Sequence, residues 1–77
     1  MTLDRITVEA SKMQGRACVR GMRISVSFVL KLFAGGMSRE QILHDHPDLE
    51  LSDLDQCLEY AARLADEHQH PLPAVAV

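Results

Sequence analysis

Aromatic side chains are scarce in this 77-residue chain: Phe28, Phe33 and Tyr60 make up 4% of it. A core here must therefore be built from Leu, Val, Ile, Met and Ala. Cysteine is as sparse. Cys18 and Cys57 are too few for a disulfide framework or a four-thiolate zinc site, so both read as reduced thiols, with Cys57 as core filler. Long apolar runs are also missing. The longest, Val26 to Gly36, is broken by Ser27 and Lys31 and falls well short of the roughly 20 residues that a bilayer span needs. The opening MTLDRITVE carries early charges and no apolar signal-peptide region, so the expectation is a cytoplasmic chain with no membrane partner. Neither Gly15 nor Gly21 is followed by Gly-Lys-Ser/Thr or a dinucleotide fingerprint, which leaves nucleotide binding without support.

What is present is the makeup of one small globule, 47% apolar and 25% charged, with room for a single core. A chain this short buries only roughly 60% of its unfolded surface, which makes a homodimer the default expectation. The net charge of −3 conceals a split. Seven of the eight Lys and Arg residues lie in residues 1–39, and nine of the eleven Asp and Glu residues lie in residues 40–77. Such asymmetry suggests two faces with different partners, one able to meet phosphates and one repelled by them. The plainer alternative is two solvated surfaces that attract each other across a dimer.

Residues 1–24 read as a β-ribbon, because Ile6 and Val8, then Ala17 and Val19, then Ile24 alternate with polar neighbours, and Gly15 and Gly21 mark turns. Residues 25–68 read as three helices. Ser25 or Ser27 caps the first, which runs to about Ala34 and stops at Gly35-Gly36. It is apolar around most of its circumference, so it has to be buried on two sides, and Phe28, Val29, Leu32 and Phe33 are assigned to a dimer interface. Ser38 with Gln41 three residues on predicts a capping box for the second helix, closed by Pro47. Ser52 is the expected cap of the third, whose apolar positions Leu54, Cys57, Leu58, Ala61, Leu64, Ala65 and His68 keep helical spacing, with Asp53 and Asp55 in its first turn. Prolines 71 and 73 exclude a helical tail, so residues 71–77 are expected to fray beyond a single domain of residues 1–70.

The stretch GRACVRGMRISVSFVLKLFAGGMSREQILHDHPDLELSDLDQCLEYAA, residues 15–62, resembles the bacterial domain-of-unknown-function family 433. Gly15, Val19, Gly21, Arg23, Ile24, Val26, Gly36, Ser38, Ile42, Leu43, Pro47, Leu49, Leu58, Tyr60 and Ala61 stand where that family's pattern has its recurring residues. Ala17, Met22 and His46 replace its usual Pro, Thr and Tyr. The resemblance implies a homeodomain-like three-helix fold of helix-turn-helix type, mainly α with a short N-terminal β-ribbon and commonly dimeric. It also implies a role as antitoxin to a PIN-like ribonuclease toxin, with repression of its own promoter DNA.

The second and third helices have helix-turn-helix dimensions, but Ser52, Asp53, Asp55, Gln56 and Glu59 would bring three carboxylates towards phosphates. The ribbon residues Arg16, Arg20 and Arg23 are the better candidates for contact with nucleic acid or toxin. A guanidinium fork can meet phosphates or the clustered carboxylates of a nuclease's metal site. His44-Asp45-His46 and His68-Gln69-His70 are poor metal chelators, since helical residues two apart point to nearly opposite sides. No cofactor, metal site or catalytic constellation emerges. The expectation is a non-enzymatic binding protein, antitoxin-like, with a transcriptional regulator lacking a toxin partner or a structural adaptor as the alternatives.

Overall fold

The computed structural model describes residues 2–67. The predicted tail 71–77, together with His68 and His70, lies outside the described residues. The chain is mainly helical with a short N-terminal ribbon, as expected. Strands β1 (Ile6–Val8) and β2 (Ala17–Val19) pair antiparallel, with Ile6 opposite Val19 and Val8 opposite Ala17. A short 3₁₀ turn, Met13–Gly15, lies between them.

After β2 the chain reverses within two residues. Arg20 and Gly21 both have positive φ, 46° and 70°, and Met22 N–H closes the turn onto the Val19 carbonyl at 2.8 Å. Two left-handed residues in a row match the right-handed twist of paired strands. Glycine takes this conformation freely; arginine does not. The returning chain adds only a single bridge, Cys18 to Ser25.

Ser25 then starts helix α1 (Val26–Ala34), its hydroxyl accepting from Phe28 N–H at 3.0 Å. The helix closes with a Schellman arrangement: Gly36 N–H donates to the Phe33 carbonyl and Met37 N–H to the Leu32 carbonyl, with Gly36 at φ 93°. The predicted capping box opens helix α2 (Arg39–Asp45), Gln41 N–H donating to Ser38 Oγ and Ser38 N–H to Gln41 Oε1. Helix α3 (Leu51–Glu67) begins one residue before the expected cap, Ser52, which is exposed within the helix. Its first turn is secured by Asp53, whose carboxylate accepts the Glu50 N–H at 2.8 Å.

The core comprises Val19, Val26, Val29, Ile42, Leu49, Leu54 and Cys57. It holds no fully buried aromatic ring, in keeping with the shortage of aromatics, and Cys57 fills it as expected. Burial pushes the Cys57 thiol up to about 11, with the nearby Asp53 charge adding to the effect. Gln56 ties the N-terminal segment to α3 by accepting from Arg5 N–H at 2.9 Å and donating to Asp4 at 2.7 Å.

One expectation for α1 is corrected. Val29, assigned to a dimer interface, is fully buried in the chain's own core. Leu32 and Phe33 pack against that core, the Arg39 guanidinium lies 5.7 Å from the centre of the Phe33 ring, and Phe28 meets His46 edge-on at 5.3 Å. The rest of α1 packs mainly on α3 and β2, and Phe28 stays exposed.

Candidate functional site

The cations of residues 1–39 divide into two groups. Four have partners within the chain. Arg5 bridges Glu50 and Asp53, Lys12 meets Glu9 and the Gly21 carbonyl, and Arg39 pairs with Asp55. Arg20 grips Asp53 through both carboxylate oxygens, at 2.9–3.2 Å, and donates to the Asp48 carbonyl. The other three, Arg16, Arg23 and Lys31, have no acidic partner among the described residues.

Asp53 organises the first group. It is 0% exposed, so burial, the largest single influence on it, opposes ionisation. The hydrogen bonds from Arg20, the Glu50 backbone and Arg5 together outweigh that effect and hold its carboxyl below the ordinary aspartate value. The same bonds raise both guanidinium pKa values, chiefly through Glu50 and then Asp53 for Arg5, and through Asp53 for Arg20. The Arg20 contacts also anchor the left-handed turn to the start of α3. Because Asp53 binds its proton less readily in the folded chain than in the unfolded one, its contribution to stability is complete above the usual value of 3.8. That contribution falls away as pH drops through the lower folded value. Urea titrations below about pH 4 should therefore show wild-type stability declining more steeply than that of Asp53→Asn.

The second group converges. Arg16, immediately before β2, Arg23, from the segment entering α1, and Lys31, in the second turn of α1, all line one groove of about 470 Å³. Met13, Ile24 and Phe28 supply its apolar lining, and Ser25, Ser27 and His46 complete it. The volume lies in the range typical of ligand-sized clefts. Phe28 is 41% exposed, which leaves part of its ring available beside three positive charges that have no acidic partner among the described residues. The groove therefore suits an anionic occupant that also carries an apolar or planar group.

Two of the three arginines singled out in the sequence thus meet at one surface, and Arg20 does not join them because Asp53 holds it. Sequence reasoning overlooked Lys31 as a site residue, although it is the sole charge in an otherwise apolar helix. It also gave Asp53 only a place in the first turn of the third helix, suited to the helix dipole, whereas the side chain is buried. An acidic residue at the third position of a helix was the available signal, since that position reaches back to the first N–H groups.

The geometry of α2 and α3 bears on groove reading by α3. Asp53 is buried, Asp55 pairs with Arg39, and Gln56 is held by Arg5 and Asp4. Most of the side chains at the start of α3 are already used within the chain. Among the described residues no group of three His, Cys, Asp or Glu could hold a metal, and no helix is long and apolar enough to cross a membrane.

The profile of a family described as a protein of unknown function, DUF433, matches residues 6–61. The chain belongs to the DUF433 family. All residues lining the basic groove fall inside the matched span. A crystal structure of a DUF433 member from Anabaena variabilis ATCC 29413 superposes with a TM-score of 0.76 at 22% identity, covering 83% of this chain and 63% of that one. The likeness supports the DUF433 fold, and this chain spans less than two thirds of that relative. No curated protein matches the sequence.

Proposed function

We propose that this DUF433 protein is a non-enzymatic binding module, an antitoxin-like partner that neutralises a PIN-type ribonuclease by covering its acidic metal site. The observation that supports this reading is the convergence of Arg16, Arg23 and Lys31, each without an acidic partner among the described residues, on one groove beside the exposed edge of Phe28. The four other cations of the N-terminal half already have carboxylates of their own, which leaves these three for a partner. Guanidinium groups suit carboxylate pairs because their planar fork can donate two parallel hydrogen bonds. The apolar lining adds a desolvated centre, where interfacial ion pairs gain most.

The test pairs the purified chain with the PIN-type ribonuclease of its own gene neighbourhood and measures both binding and RNA cleavage. The wild-type chain should suppress cleavage, and Arg23→Glu combined with Arg16→Glu should weaken binding by at least about 30-fold. Lack of such a neighbour, no inhibition by the wild-type chain, or full inhibition by the doubly reversed chain overturns the reading. A promoter-DNA titration with both chains serves as the counter-test. Steeply salt-dependent DNA binding that the double reversal abolishes, without ribonuclease binding, would identify a transcriptional regulator instead.

A further inference from the structure

The loop that joins β1 to β2 carries three left-handed residues in succession: Met13, Gln14 and Gly15 have φ of 52°, 58° and 78°. Glycine takes this conformation freely, but for methionine and glutamine it is disfavoured by about tenfold each. Burial does not offset that cost, since no residue from 9 to 16 is buried. Hydrogen bonds hold the loop instead. Gly15 N–H donates to the Lys12 carbonyl at 3.0 Å and Arg16 N–H to the Met13 carbonyl at 3.2 Å, closing two tight turns. The Lys12 ammonium then ties the loop to the rest of the chain by donating to the Gly21 carbonyl, with the Glu9 carboxylate 3.8 Å away. That acceptor is well fixed, because Gly21 N–H donates to Thr7 Oγ1 at 2.9 Å and Arg20 beside it is gripped by Asp53. On either side of Gln14 and Gly15, Met13 and Arg16 line the basic groove.

We infer that residues 12–16 are a strap at the edge of the basic groove, clasped by Lys12 on Gly21 and opened by the return of Met13 and Gln14 to ordinary backbone. Strain of this kind persists only where surrounding contacts over-determine it, and here the clasping contact is one lysine side chain. Without it, two tight turns must carry two unfavourable residues in a segment that buries no side chain. Such a segment opens by itself, at less cost than global unfolding. Opening takes Met13 and Arg16 away from Arg23, Phe28 and Lys31, so the groove is dismantled from one side. An occupant that pairs with Arg16 therefore binds the clasped form better and, by linkage, holds the strap shut. This last step rests on the groove being the partner site proposed above; the clasp itself does not.

Amide hydrogen exchange of the full chain, read by NMR as protection factors, tests the clasp with no partner present. Gln14→Gly removes one left-handed penalty and should raise the protection of the Gly15 and Arg16 amides by about fivefold. In an ordinary loop the same change lowers protection, because glycine adds freedom to the open chain. Lys12→Met keeps the stem, loses the clasp and should lower protection of the two amides by about tenfold. The Val29 amide, bonded to the Ser25 carbonyl, should keep its protection in both variants and so reports an intact fold. Protection that falls or stays level in Gln14→Gly, that stays level in Lys12→Met, or that changes equally at Val29 overturns the inference. Affinity for the PIN-type ribonuclease should follow the same order, tighter for Gln14→Gly and weaker for Lys12→Met, and equal affinities would overturn the link between strap and groove. Both protection changes in a chain that binds no ribonuclease would uphold the clasp and reject the partner, so the two readings can fail separately.

Discussion

Asp53→Asn is expected to destabilise the folded chain by about 3 kcal/mol, the lower end of the range for removing one partner of a buried ion pair. For a domain of this size the melting temperature should fall by more than about 10 °C. Arg5 and Arg20 keep 28% and 36% of their side-chain surface exposed, so water will hydrate part of the charge left behind; hence the lower end. Three separate parts of the chain lose their common anchor in this substitution: the N-terminal segment through Arg5, the left-handed turn through Arg20, and the first turn of α3 through Glu50 N–H. Asp55→Asn is the matched control. It removes one acid from an exposed pair with Arg39 and should cost less than about 1 kcal/mol. Urea denaturation followed by circular dichroism compares the two directly, and equal midpoints would show that Asp53 is not the anchor described above.

Leu54→Ala should cost a similar amount, about 3 kcal/mol, by a different route. Leu54 is 0% exposed and, with Ile42, among the largest fully buried side chains. The core holds no buried aromatic ring that could slide into the space, and its β-branched neighbours Val19, Val26 and Val29 have few alternative rotamers. The cavity should therefore stay open rather than collapse. The signature is a loss of stability that, unlike that of Asp53→Asn, persists unchanged below about pH 4, because no titrating group is involved. A loss under about 1 kcal/mol would mean that the core repacks around the gap.

The helices were legible because their signals are local. Ser38 and Gln41 are three residues apart and satisfy each other's backbone, Gly36 supplies the left-handed residue that ends α1, and Pro47 prevents α2 from continuing. The Arg20–Gly21 turn was legible from its glycine and from the alternation on both sides. Two inferences from apolar patterning and charge were less secure. Val29 was placed on a dimer face because α1 is apolar nearly all round, yet it faces the chain's own core, where α3 and β2 pack on the helix. Asp53 was read only as a first-turn carboxylate suited to the helix dipole, yet two arginines neutralise it inside.

The order of residues was enough to establish a core without aromatic rings, a ribbon followed by three helices with the caps of the first two, and an excess of positive charge near the N-terminus. Each depends on neighbours within a few positions or on composition. Which positive charges are left for a partner was decided only by the tertiary structure, because Arg20 and Asp53 lie 33 positions apart and Arg5 and Asp53 lie 48. Charge adds up along a chain, but neutralisation requires approach to within about 4 Å, and only folding determines which groups come that close.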